Sequence, residues 1–161
     1  MTVPYRSFTD PSEAASLIAD LAARTVIFDV EPLIAFWDTD QRVLDEGVTA
    51  ILARLGVDPG QIRHVLFATN SARRSAALLA LDGIQVSYLA LARKPLRTAP
   101  YRGLPTPGVV IGDQIATDGV LAWRLGYTFL RYMPDTLNVP LGPRIMASLG
   151  YPLRKLLFHN S

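Results

Sequence analysis

Four groups of side chains in this chain have the types and the order needed to handle a phosphoester. A carboxylate pair, Asp29 and Glu31, is followed by a hydroxyl and an amide at Thr69 and Asn70, by Lys94, and by a second carboxylate pair at Asp113 and Asp118. Brought to one crevice, Asp29 is a nucleophile for phosphorus. Glu31, two residues on, is placed to give a proton to the leaving oxygen and to take one from the attacking water. Attack by an anion on an anion needs neutralising charge. Asp29 and Asp113 offer oxygen ligands for Mg²⁺, and Lys94 with the Thr69 hydroxyl offers donors to phosphate oxygens.

These residues can meet only if each ends a strand at the same edge of a sheet. Residues 25–30 are a continuous β-branched and aromatic run, the pattern of a strand buried on both faces, and it ends in Asp29 and Glu31. A second such strand at 64–68 leads into Thr69 and Asn70, a third at 86–92 into Lys94, and a fourth at 108–111 into Gly112 and Asp113. The last strand is expected at 127–132. Helices are expected at 12–23, 40–55, 71–81 and 116–125, with Gly56, Gly83 and Gly126 as stops. The Pro-rich stretch 95–107 allows at most a short helical piece. Strands alternating with helices define an α/β fold with a doubly wound parallel sheet, which binds ligands beyond the carboxyl ends of its strands.

Charge is distributed to match. Residues 10–58 hold ten acidic against three basic side chains, and residues 61–112 hold seven basic against Asp82 alone. An acidic and a basic half meeting in one fold suit a cation and an anion together. The basic residues are fourteen Arg and two Lys, Lys94 and Lys155, and a lysine that survives such a bias is a candidate for work that arginine cannot do. With no Cys, thiolate metal sites are excluded; with only His64 and His159 a His-rich zinc site is not expected, and a cytoplasmic setting is. The basic stretch around Lys94 lacks interleaved aromatics, so nucleic acid is not an expected partner.

The segments Asp29-Val30-Glu31-Pro32-Leu33, Leu66-Phe67-Ala68-Thr69-Asn70, Arg93-Lys94-Pro95 and Gly112-Asp113-Gln114-Ile115-Ala116-Thr117-Asp118 resemble, in order and spacing, the four motifs of the haloacid dehalogenase (HAD) superfamily. Within it the chain looks most like the small subfamily IIIA phosphatases of the YqeG type, relatives of phosphatidylglycerophosphatase, over residues 5–133. The resemblance implies a HAD-like core, Asp29 as nucleophile, Thr69 as the phosphate-binding hydroxyl and Lys94 as charge clamp. It also implies Asp113 as a Mg²⁺ ligand supported by Asp118, with the Glu31 carbonyl as a further ligand. A phospholipid head group such as phosphatidylglycerophosphate, or a phosphorylated small molecule, is the substrate it implies. Neither the interval after Glu31 nor that after Asn70 holds a cap domain, so the site is expected to be open.

The first motif departs from the family's Asp-x-Asp-x-Thr, having Glu31, Pro32 and Leu33 instead. Glutamate is one methylene longer than aspartate, and Leu33 lacks a hydroxyl. Two functions therefore stand side by side: a weak or specialised phosphohydrolase, and a catalytically impaired relative acting as a binding or oligomeric interaction protein.

Simpler roles compete for several residues. Asp113 or Thr117 would cap the helix that follows, Asn70 and Ser71 would cap one at Arg73, and Phe36 and Trp37 would be buried over the sheet. The core is expected to occupy residues 1–133. Residues 134–161 read as a tail of two short helical pieces, at 145–149 and 153–158, carrying Ile145, Met146, Leu149, Leu153, Leu156, Leu157 and Phe158 with Arg144, Arg154 and Lys155. It would pack on the core, on a second copy, or peripherally on an anionic inner-membrane surface.

Overall fold

A computed structural model describes residues 2–134 and 141–160. Seven strands form one sheet: β1 (Val3–Phe8), β2 (Thr25–Asp29), β3 (His64–Ala68), β4 (Gln85–Leu89), β5 (Gly108–Gly112), β6 (Thr128–Tyr132) and β7 (Phe158–Asn160). Their order is β4-β3-β2-β5-β6-β1-β7, and every pairing is parallel. Parallel strands need crossovers, supplied by α1 (Ala14–Asp20), α2 (Gln41–Val57) and α3 (Val120–Leu125), with α4 (Leu141–Leu157) leading to β7. The result is the expected α/β fold with a doubly wound parallel sheet.

Alternation along the central strands builds two cores. Val26, Phe28, Val65, Phe67, Val109 and Ile111 face α1 and α2, joined there by Ile18, Leu44, Val48 and Leu52. Ile27, Leu66, Val110 and Phe129 face the other way, onto Leu121, Ala122, Tyr101 and Phe158. β2 and β5 are buried throughout, which fits their unbroken apolar sequences. Phe28 stacks on Phe67 across the β2–β3 pair, with ring centroids 5.6 Å apart. Each such buried side chain contributes about 1.5–3 kcal/mol, so the strands that end in the polar groups are firmly seated.

The third strand ends at Leu89 rather than at residue 92, and the structure differs from the sequence reading at three further places. No helix forms over residues 71–81, although Ala, Leu and Arg there favour one. Side chains of α2 satisfy the backbone instead: Asp45 accepts from the Ala76 N–H and the Ser75 hydroxyl, and Gln41 donates to the Arg74 carbonyl. The segment has no regular structure, and its Ala77, Leu79 and Leu81 pack against the core.

β1, for which the sequence reading assigned no element, lies between β6 and β7; its pairing with β6 begins at Tyr5, and Pro4 is in register with His159 of β7. The expected two helical pieces of the tail are one helix, α4, containing Pro152, and Phe158 starts a strand rather than ending a helix. Leu153, Leu157 and Phe158 join the second core, and the Arg154 guanidinium lies 4.9 Å from the Tyr5 ring centroid. α4 reaches the body where Gly150 meets Ile115; a Cβ there would lie 2.8 Å from the Ile115 Cβ, so close packing requires glycine. Pro140 and the side chains of Arg144, Met146 and Leu149 lie outside the described residues. No described helix is long and apolar enough to cross a membrane.

Candidate active site at the carboxyl edge of the sheet

From β2 the chain adds β3 and β4 on one side and β5 and β6 on the other, so the order reverses between β2 and β5. Ligands of open α/β sheets bind in the crevice outside such a reversal. Asp29 ends β2 there, 8 % exposed and in register with Ala68 of β3.

Lys94 reaches the same point from the loop after β4. Its ammonium lies 2.7 Å from Asp29 Oδ1, donates to Asp118 Oδ1 at 2.7 Å and to the Ala68 carbonyl at 3.0 Å. A lysine has three N–H donors, and all three are committed. Two devices aim it. The Ala92 and Leu91 N–H groups bond to the Thr69 and Ser71 carbonyls, clipping the loop after β4 to the loop after β3. Asn70 then receives the Lys94 N–H at 2.7 Å and donates its own amide to the Lys94 carbonyl at 3.0 Å. Asn70 thus positions Lys94 and caps no helix. Leu91 and Arg93 have φ of 51° and 55°, strain for side chains of their size that these bonds hold in place.

Asp118 comes from below through a π-helical turn, Ile115–Gly119, in which the Gly119 N–H bonds to Gln114 and the Val120 N–H to Ile115. Such turns are rare and recur at functional sites. This one carries Asp118 back under Lys94, fully buried, with Oδ2 facing the Gln114 N–H at 3.4 Å. Gly112 leaves the room: a Cβ there would stand 2.4 Å from Asp118 Oδ2. Neither Asp113 nor Thr117 caps the following helix.

Charge in this pocket is unbalanced. Asp29, Asp113 and Asp118 bring carboxylate oxygens within 4.8 Å of one another, against the single ammonium of Lys94. Burial, and then the Asp118 charge, push Asp29 well above the usual carboxylate range despite Lys94. Burial and Asp118 raise Asp113 to about 7. Burial works against the Lys94 charge, but Asp118 and Asp29 outweigh it and hold the ammonium above the ordinary lysine value. Asp113 Oδ1 is buried without a hydrogen-bond partner. Hard oxygen donors, an excess of negative charge and an orphaned carboxylate oxygen fit a divalent cation of the Mg²⁺ type.

Glu31 lies apart from that cluster. Its carboxylate, on a residue 7 % exposed, turns to the loop after β3: Thr69 donates to Oε2 at 2.6 Å, Ser71 donates to Oε1 at 3.2 Å, and Arg73 Nη1 stands 3.7 Å from Oε1. The side chains of the carboxylate pair therefore separate, Asp29 to the lysine and Glu31 to the hydroxyls. Sequence reasoning weighed Ser71 as a helix cap and passed over Arg73 because it placed it in that helix, which does not form. The usable signal is the hydroxyl residues Thr69 and Ser71, two apart, whose oxygens accept the N–H two residues on and so favour a turn over a helix.

No inserted domain covers this edge of the sheet among the described residues. Residues 30–40 and 69–84 connect their neighbours without a helix or a further domain. Phe36, 40 % exposed, and half-buried Trp37 stand in the first connection rather than in the core. Arg93 and Arg97 are exposed on the loop after β4, with Leu91 and Leu96 beside them. Comparison with known proteins finds no matching family model, no matching characterised protein and no matching solved structure.

Proposed function

We propose that the chain is a Mg²⁺-dependent phosphohydrolase of the HAD type, hydrolysing a phosphomonoester through a phosphoryl group carried on Asp29. The observation that carries this reading is the buried pairing of Asp29 with Lys94, 2.7 Å apart, beside Asp113 and Asp118 at the reversal of strand order. Lys94 holds one Asp29 oxygen in place and leaves the other to attack phosphorus. Asp29, Asp113 and Asp118 would hold the cation, which when bound neutralises charge on the phosphoryl oxygens. The Thr69 hydroxyl is the donor nearest Glu31 for a non-bridging oxygen. Glu31 gives the leaving oxygen its proton and later takes one from the water that hydrolyses the acyl phosphate.

The absence of an inserted domain over the site among the described residues and the exposed Arg93, Arg97, Leu91 and Leu96 favour a phosphoester presented on a surface, such as a phospholipid head group. The test is phosphate release from phosphatidylglycerophosphate and from a generic phosphomonoester with Mg²⁺, comparing the protein with Asp29→Asn. Loss of release in the variant is expected; equal rates reject an Asp29 mechanism.

One observation favours a second reading, binding without turnover: the Thr69 and Ser71 hydroxyls are already engaged by Glu31.

A further inference from the structure

The loop after β3 bends at residues 70–72, and in it Thr69, Ser71 and Arg73 converge on the two oxygens of one carboxylate. This donor set is built. The Ser71 N–H bonds to Thr69 Oγ1 at 2.9 Å and the Arg73 N–H to Ser71 Oγ at 3.2 Å, which fixes both hydroxyl oxygens. The Arg73 guanidinium is held by the Phe36 carbonyl at 2.9 Å and the Thr39 carbonyl at 3.0 Å, so its charge is set in place before any ligand arrives. Two hydroxyls that donate to two oxygens, with a guanidinium charge 3.7 Å from one of them, suit a phosphate as readily as a carboxylate. The occupant comes from the chain itself, and its reach depends on the glutamate: an aspartate would fall short by one carbon–carbon bond, about 1.5 Å.

We propose that Thr69, Ser71 and Arg73 form one oxyanion cradle, that the Glu31 carboxylate is its resident occupant, and that a phosphoryl group enters only by displacing it. This rests on the phosphohydrolase reading for the identity of the incoming anion. Glu31 is then both a lock on the cradle and, once displaced toward Asp29, free for proton transfer. Affinity for substrate is reduced by the cost of moving Glu31, as for any ligand whose binding-competent state is a minor one.

The experiment titrates inorganic phosphate into the full chain with Mg²⁺ at fixed pH and ionic strength, by calorimetry, for the unaltered protein, Glu31→Gln and Glu31→Asp. Circular dichroism verifies the fold of each. Glu31→Gln removes the competing charge and is expected to tighten phosphate binding about tenfold or more, the scale of one charge-assisted hydrogen bond. Glu31→Asp keeps the charge but loses the reach and is expected to tighten it by a smaller factor. Adding Ser71→Ala to Glu31→Gln is expected to weaken binding roughly three- to tenfold. Unchanged affinity in both Glu31 variants, with the unaltered protein binding phosphate, overturns the lock and leaves the phosphohydrolase reading standing. Unchanged affinity on adding Ser71→Ala overturns the three-residue cradle. Phosphate binding by no folded variant overturns the cradle and the phosphohydrolase reading together.

Discussion

The Lys94 ammonium and Asp118 Oδ1 meet at 2.7 Å with both side chains almost wholly out of solvent, and the same ammonium holds Asp29 at 2.7 Å. Taking these ions out of water is costly, and their attraction repays that cost only while the set is complete. Removing the lysine charge leaves two buried carboxylates uncompensated. Lys94→Ala is expected to lose about 3–5 kcal/mol of stability, read as a lowered denaturation midpoint. Lys94→Arg restores the charge but not the compact three-donor geometry, and a full return of stability would show that charge alone suffices.

Gly112 gives a sharper test of how Asp118 is placed. Its position sits so close to Asp118 that an added methyl group must push the carboxylate away, the Cβ lying 2.4 Å from Oδ2. Gly112→Ala is expected to cost about 1–3 kcal/mol and to weaken divalent-cation binding measured by calorimetry. Undiminished cation affinity would mean that Asp118 does not help hold the ion.

The pH dependence follows from Asp113. In the folded chain it keeps its proton up to about pH 7, whereas the ordinary value is 3.8. Between those values the folded protein binds more protons than the unfolded one, so this contribution to stability is present at low pH and is lost as pH rises. Buried Asp29 acts in the same direction. With a chelator present, the melting temperature is expected to fall as pH rises through this range, and Asp113→Asn is expected to flatten that fall. A profile unaltered by Asp113→Asn would contradict the raised value.

The reach of the sequence can be judged from particular residues. Asp29, Thr69 and Asp113 were legible as strand ends because fully buried parallel strands are apolar runs that end visibly at polar residues, whereas Lys94, five residues beyond the partly exposed edge strand β4, was legible from the rarity of lysine in this chain. Residues 71–81 were not legible. Their helical composition is overridden by Asp45 and Gln41, thirty or so positions upstream, which no local pattern reports. β1 was not legible: Pro4 stands within it, in register with His159 of β7, while the pairing with β6 starts at Tyr5. The turn at Asp118 reads as an ordinary helix start, since a π turn differs only in which carbonyl each N–H finds. Glu31 was recognised as a departure from the family pattern, but that its extra methylene carries it to Thr69 and Ser71 is a matter of geometry.

The anchoring of residues 71–81 makes its own prediction. Asp45 takes the Ser75 hydroxyl and the Ala76 N–H, both at 2.8 Å. Asp45→Ala is expected to speed hydrogen exchange and proteolytic cleavage within 71–81 while β2 and β3 stay protected. Uniform acceleration across the chain would instead make Asp45 a determinant of global stability.

The altered first motif separates turnover from binding alone. The double variant Glu31→Asp with Leu33→Thr is expected to raise phosphate release if the present motif is a decayed one. Lower release than the unaltered chain would show that Glu31 and Leu33 are tuned to a reaction of their own.

The central claim is that Asp29 carries the phosphoryl group. Its most direct test is to mix the protein with substrate and Mg²⁺, quench in acid, and locate any phosphorylated peptide by mass spectrometry. Phosphate on Asp29, absent in Asp29→Asn and lost on treatment with hydroxylamine, is the predicted result. Substrate turned over with no phosphoryl group ever found on Asp29 would contradict it.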